Sequence, residues 1–578
     1  MSEKSRWWLI IAGIILLINI PLKTQAQSFQ PAPPIPEPTP PITPINPQEN
    51  PLQTPSIEPI PAEMQEVPGT QMVEQFEFVG NTVFTTETLQ QLVAELTGKE
   101  VSFPQLLQAA NKISELYVRE GYITSGAYIP VQDFTDGIVK IQVVEGRLQD
   151  VEVEIASGRL NPGYISSRIK AGVSQPLNIK GLQESLQKLQ LNPLIASLDA
   201  ELSSGIRRGE SILSVVVYGQ KTFAITPRLN NNRNPSVGTF ERGVEISEAN
   251  LSGWGDQISF TYANTEGSNR YEAYYNLPVN PYDGTIRLYY RLTDNEIVES
   301  PFDELDITID SRDYDVTFRQ PIIRRATTQG NKELALSLGF ARRESDSELL
   351  GRNFPLTLGA NDEGETRLSI IRFTQDWTNQ GLKSVFAARS QFNLGVEAFN
   401  ATSNPDSIPD SQYFLWRGQL LYLRLLSSSE KNPGTGITMF LRSSFQLAND
   451  PILPLEQFTI GGQETVRGYR QDYLLTDNGV LASAEVRFPL LQVSKIEGLL
   501  QIAPFIDFGV GWNKTGTERE NPSKNTLVGT GLALIWRMGD KLNTRIDWGI
   551  PLIDVDSRDT TWQENGIYLQ LEYNFRPF

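Results

Sequence analysis

The chain contains no cysteine and no histidine. Without cysteine there are no disulfide staples and no thiolate ligands. Without histidine, no imidazole can hold a metal or act as the base of a Ser/His or Cys/His arrangement. A Gly-x-Ser-x-Gly elbow and a Gly-x-x-x-x-Gly-Lys-Ser/Thr phosphate loop are missing too. The residues therefore point away from an enzyme and imply neither a metal nor a cofactor. Positive charge is also scarce: 50 Lys and Arg face 68 Asp and Glu, for a formal net charge of −18. A nucleic-acid binder normally presents a basic stripe, so no nucleic acid is expected as a partner. Long apolar runs are confined to the N-terminus. There Lys4 and Arg6 precede the apolar stretch 7–18, and Thr24, Gln25 and Ala26 offer a cleavage site. That pattern reads as a secretory signal peptide over 1–26, since the run falls short of the roughly 20 residues a spanning helix needs.

At 578 residues the chain is long enough for two to four units. Residues 27–70 are dense in proline and cannot build ladders, so an extended spacer is expected. Two compact α+β units follow, at 71–147 and 148–220. In the first, 74–79 reads as a strand, 86–96 and 103–120 as helices, and 123–129 with 138–144 as paired strands. Leu106, Leu107, Ala110, Ile113, Leu116 and Tyr117 line one face of the second helix. The other unit repeats this β-α-α-β-β order over 151–155, 162–170, 179–191, 196–202 and 211–218.

From 221 to 578 the pattern changes to segments of about ten residues with a period of two, separated by turn residues. Ile286, Leu288, Tyr290 and Leu292 alternate with Arg287, Tyr289 and Arg291; Leu542, Thr544, Ile546 and Trp548 alternate with Asn543, Arg545, Asp547 and Gly549. One face suits lipid and the other needs water or partners. A mean hydropathy of −0.28 is compatible with a wall that shows only alternate residues to lipid. Strands are expected near residues 221, 240, 256, 270, 284, 308, 333, 366, 383, 412, 434, 479, 499, 526, 541 and 565. The expected fold is thus a membrane β-barrel of 16 antiparallel strands, preceded by two periplasmic α+β domains. With those domains in the periplasm, the long connections near 294–307, 344–365, 397–411, 448–478, 510–525 and 550–564 all face outward. Only 319–332 is too long for an inner turn.

The longest outer loop, 448–478, carries Val466, Arg467, Gly468 and Tyr469. An arginine on the lipid face would cost about 2–4 kcal/mol at the midplane, so Arg467 should point inward. Two strands later come Phe505, Asp507 and Gly509. Ile502, Ile506 and Phe508 share the apolar phase there, which turns Phe505 and Asp507 to the lumen. A two-pronged Arg–carboxylate bond would pin the loop inside the pore. On spacing alone, Arg467 and Asp507 serve equally well as lumen charges that merely satisfy the wall, the role expected of Arg287 and Arg442.

Val466–Tyr469 is similar to the VRGY/F loop motif, and Phe505–Gly509 to the F-x-D-x-G wall motif, of barrels that move or insert polypeptides. Glu120, Gly121 and Tyr122, then Tyr128, Ile129 and Pro130, then 144–148, resemble the first POTRA domain of the haemolysin secretion/activation type. Together these residues resemble a TpsB transporter of two-partner secretion, over 71–578. The resemblance implies an outer-membrane protein whose POTRA domains bind an unfolded, secreted TpsA-like partner by strand addition. The partner would then pass through the barrel, with Arg467 holding the loop through Asp507. Outer-membrane lipid and the outer-membrane assembly machinery are the other implied partners; Phe578 or Phe575 would be the terminal aromatic that the machinery reads. An insertase of the same superfamily and a passive porin remain alternative readings. Two POTRA-like units favour secretion over insertion, and a porin has no need of the loop motif.

Overall fold

The computed structural model describes residues 52–53 and 69–577, apart from 135, 328–329, 406, 428–435, 516–518 and 558–559. The expected signal peptide, nearly all of the proline-rich stretch and Phe578 lie outside the described residues.

In the first N-terminal unit, Gln75–Val79 runs parallel to Ile138–Val144, which pairs antiparallel with Gly126–Tyr128. Helices Thr86–Val93 and Phe103–Arg119 cover this sheet. Ser102 starts the second helix with a capping box, its backbone N donating to Gln105 Oε1 at 2.8 Å, and Pro104 sits in the first turn, where no donor is missed. The helix then buries Leu106, Ala110, Ile113, Leu116 and Tyr117 against Phe76, Phe78, Ile141 and Val143. Each such side chain contributes about 1.5–3 kcal/mol on leaving water. The structure shortens the expected strand 123–129 to three residues and adds a ribbon, Thr70–Val73 with Lys99–Ser102, that periodicity did not reveal.

The motif residues of this unit hold its frame. Glu145 accepts from Thr82 N at 2.6 Å, Val83 N at 2.8 Å and the Tyr117 hydroxyl at 2.7 Å. Burial pushes this carboxyl up, but the hydrogen bonds from Thr82, Val83 and Tyr117 outweigh it and hold Glu145 below its ordinary range. Arg147, the last of the motif residues but one, already opens the second unit, where it pairs with Glu210 at 2.6 Å. That unit has strands in the order Leu52–Gln53, Ile195–Ser204, Glu210–Gly219, Arg147–Ser157, with helices Pro162–Gly172 and Ile179–Gln190. Leu52, from the proline-rich stretch, is buried with the unit's own core.

Sixteen antiparallel strands close into the barrel, from Phe223–Asn230 to Ile567–Tyr573. A two-residue strand, Arg352–Asn353, extends the outer end of the seventh, Gly330–Leu349. The alternation sorts the two faces. Leu288, Val316, Phe318, Leu338, Phe373, Trp377, Ile506, Phe508, Ile546 and Trp548 are exposed outside, while Arg343, Arg417, Gln446, Glu485, Asp507 and Asp547 are buried inside. The seam is short, with only three pairs between first and last strands, Arg228–Glu572, Leu229–Leu571 and Asn230–Gln570, and one further bridge from Ile225 to Phe575.

The stretch 319–332 corrects the sequence reading. It is no loop, because the sixth and seventh strands run on as Ile307–Thr327 and Gly330–Leu349, with a bulge at Pro321–Ile323. The extension meets the second N-terminal unit, whose helix Ile179–Gln190 lies against Ile307–Thr327. Arg168 stacks on Tyr164 at 3.5 Å and donates to Asp283 Oδ1 at 3.0 Å, while Arg324 takes the other oxygen of Asp283. Beside them, Asn161 N donates to Gly253 O at 2.8 Å. Gly255 has φ +77° and would put a Cβ 2.8 Å from the Tyr164 ring, so glycine is required both for the turn and for the close approach.

Candidate functional site

The loop between the eleventh strand, Thr438–Ala448, and the twelfth, Asn478–Val493, folds back into the barrel as a structured strap. It opens with the turn Pro454–Glu456 and continues in the ribbon Phe458–Ile460 with Leu474–Thr476. Phe458, Ile460, Val466, Tyr469 and Leu474 of the loop pack with Leu481 and Leu527 of the wall. An apolar lining inside a wet pore thus becomes a small core, which only the loop can complete.

Arg467 lies at the tip with 2% of its side chain exposed, and Asp507 on the thirteenth strand, Gly498–Trp512, is fully buried. Arg467 Nε donates to Asp507 Oδ2 at 2.7 Å, and Nη2 donates to Oδ1 at 2.8 Å. The Arg467 backbone N adds a third bond to the same carboxylate at 3.1 Å, and Ser483 Oγ a fourth at 2.6 Å. The third nitrogen, Nη1, reaches Glu485 Oε2 and Asp547 Oδ1, both at 3.0 Å. The Phe505 ring closes one face of the guanidinium, 3.3 Å from its carbon. Arg545 Nη2 shares those same two oxygens, 2.6 Å from Glu485 Oε2 and 2.7 Å from Asp547 Oδ1, and Arg487 Nε takes Glu485 Oε1 at 2.7 Å. Three arginines therefore meet three carboxylates. Withdrawing Arg467 leaves the wall one positive charge short, and breaking a buried pair from one side costs about 3–5 kcal/mol.

The neighbouring motif residues make that approach possible. Gly468 has φ +100°, and a Cβ there would meet Pro551 N at 2.8 Å. Its N–H donates to the Tyr568 hydroxyl at 3.0 Å, which in turn donates to Tyr469 O at 2.5 Å. The Tyr469 hydroxyl bridges the backbones of Val528 and Ile553, 2.8 and 3.0 Å from their carbonyls. Gly509 leaves room for the loop, since a Cβ would come within 2.6 Å of Ile460 and 2.9 Å of Val466. Arg467, Gly468 and Tyr469 thus each bond the loop to the wall.

The structure thus brings all seven residues singled out in the sequence into one cluster. Sequence reasoning missed Glu485, Ser483, Asp547 and Tyr568. Their inward phase was legible for Asp547 and Tyr568, but alternation gives the face of a strand, not the neighbour across the lumen. Arg442 departs from its expected role, because it reaches Glu464 on the loop at 3.2 Å rather than the wall alone.

The geometry has counterparts in known proteins. A family model for the haemolysin secretion/activation protein ShlB/FhaC/HecB matches residues 209–535, and one for the ShlB-type POTRA domain matches 72–146. The chain is 24% identical over 491 residues to the outer membrane transporter CdiB of Escherichia coli O6:K15:H31 (strain 536 / UPEC), covering 82% of this chain and 78% of that one. It is 22% identical over 465 residues to the heme/hemopexin transporter protein HuxB of Haemophilus influenzae, covering 78% and 79%. The solved structure of CdiB from Escherichia coli superposes with a TM-score of 0.65 at 21% identity, over 90% of this chain and 93% of that one. The family model spans more than half of the chain, so the protein belongs to the haemolysin secretion/activation family, the outer-membrane transporters of two-partner secretion, with its POTRA domains in the periplasm.

Proposed function

We propose that the protein exports an unfolded TpsA-like partner, captured by the POTRA pair and passed through the barrel as an extended chain. The observation that carries this reading is the strapped loop. A passive porin gains nothing from a tip whose arginine is fully desolvated against three carboxylates, whereas a transporter for folding-competent chains needs a pore that is closed at rest. Capture by strand addition is supported at the edge strand Ile195–Ser204, beside which Leu52–Gln53 of the chain's own proline-rich stretch lies as a parallel strand. The chain has no phosphate loop, so folding of the partner at the cell surface supplies the direction. Through Asp507, Arg467 sets the loop in the resting position from which export starts.

Co-expression with a candidate partner in a Gram-negative host tests this. The partner is expected in the medium only when the transporter is present. If it stays in the periplasm while other outer-membrane barrels fall in amount on depletion of the protein, the insertase reading replaces this one.

A further inference from the structure

A second buried ionic cluster holds the other limb of the loop and includes none of the motif residues. The turn Pro454–Glu456 drives the Glu456 side chain into the wall, where it is 0% exposed. Its Oε1 lies 2.9 Å from Arg343 Nη1 and 3.3 Å from Arg372 Nη2. Its Oε2 lies 3.0 Å from Arg417 Nη1 and accepts from Asn393 Nδ2 at 3.2 Å. The same arginines grip the backbone: Arg343 donates to Leu455 O at 2.6 Å and Arg417 to Glu456 O at 2.7 Å, with Gln446 joining at 3.0 Å. These side chains come from the seventh strand, the eighth (Glu365–Gly381), the ninth (Ser384–Gly395), the tenth (Phe414–Leu425) and the eleventh.

This wall is positive before the loop arrives. Asp315 holds Arg372 at 2.9 Å, and Asp313 serves both Arg291 and Arg343. Four arginines thus share two aspartates, and Glu456 supplies one of the two missing charges. Arg467 supplies the one charge that the acidic wall lacks, on strands twelve to fifteen. The two clusters flank the loop's own pair of strands and have opposite signs.

We propose that Glu456 is a second anchor of the pore loop, and that the loop leaves the pore only when both anchors release. The energetics are one-sided. With the loop seated, removing the carboxylate leaves this group of arginines with only Asp313 and Asp315 as counter-charges and away from water; with the loop withdrawn, the same groups are hydrated and lose nothing. A neutral residue at 456 therefore raises the open population without touching the open state itself. This rests on the loop being the closure of the pore, which a parallel variant checks.

The test is single-channel recording of the full-length protein in planar bilayers, with folding verified by the compact migration of the unheated barrel on a denaturing gel. Glu456→Gln is expected to raise the open-to-closed ratio about a hundredfold, and Glu456→Asp, which keeps the charge, to stay close to the parent. Glu464→Gln breaks the pair with Arg442 on the same loop, but Glu464 is 55% exposed, so no change is expected. A folded Glu456→Gln that gates like Glu464→Gln overturns the proposal. If Glu456→Gln does not fold, Arg417→Gln takes its place; it is expected to open the channel about tenfold, and parental gating overturns the proposal equally. Arg467→Gln separates the two levels. If it opens the channel and Glu456→Gln does not, only the second anchor is wrong; if neither does, the loop is not the closure.

Discussion

The two walls that hold the loop are mirror images in charge and differ in how they balance. Around Arg467, three arginines and three carboxylates cancel, and every nitrogen of the guanidinium has an acidic partner. Around Glu456 the wall keeps an excess of arginine even with the loop in place. The first site is a closed ionic lattice with a defined geometry, fixed by a two-pronged bond and an aromatic floor. The second is a looser clamp in which several cations compete for one anion. A strap fastened by a cation at one point and an anion at another cannot slide: any shift of the loop takes each charge away from its counter-charge.

The largest expected effect comes from breaking the tighter site. Arg467→Gln should cost about 3–5 kcal/mol of loop anchoring, read as a lower melting point of the folded barrel and a leaky pore; Arg467→Lys should recover only part, because an ammonium cannot make the two-pronged bond. The contrast between the two faces of one strand gives the next effect. Phe508→Arg on the lipid side should cost about 2–4 kcal/mol in barrel stability measured by urea titration in micelles, with much less for Gln501→Arg in the lumen. A carboxylate far from the membrane offers a smaller one. Glu145 is held below its ordinary value of 4.5, so its contribution is present above that pH and is lost as pH falls through the folded-state value. Glu145→Gln in the soluble stretch 69–220 should therefore unfold about 2 kcal/mol more easily at pH 7, a difference that closes below about pH 4.5. Smallest is Glu464→Gln, expected within about 0.5 kcal/mol of the parent in the same titration, since an exposed pair adds little.

The barrel was legible because its physics is local. A two-sided wall forces period two on every strand, and the observed starts at 223, 285, 384, 498 and 542 lie within two residues of those read from alternation. Where strand length answers to something other than lipid, that logic fails. Ile307–Thr327 and Gly330–Leu349 outrun the membrane because they meet the second POTRA unit, and nothing in their own periodicity says so. The ribbon Thr70–Val73 with Lys99–Ser102 escaped for a related reason: both strands are short, and each is stabilised by the other rather than by its own pattern.

At the site, Arg467 and Asp507 could be paired in advance because a family resemblance joined them; phase alone put both in the lumen and left their partners open. Glu485 sits one strand before Asp507 and Asp547 two strands after it, a proximity that depends on the curvature of the closed wall. Glu456 was harder still. It lies in a loop with no periodicity, and its three arginines come from strands whose inward faces carry many charges. Sequence shows which charges are inside; only the register of the closed ring shows which of them meet.

The most direct test of the strapped-loop account is export of a cognate partner by a folded Arg467→Asp variant, assayed in the medium of co-expressing cells. Charge reversal would set a fourth carboxylate against Asp507, Glu485 and Asp547, and the account predicts that the partner is absent from the medium. Export at the parental level, from a barrel shown to be folded, would contradict it.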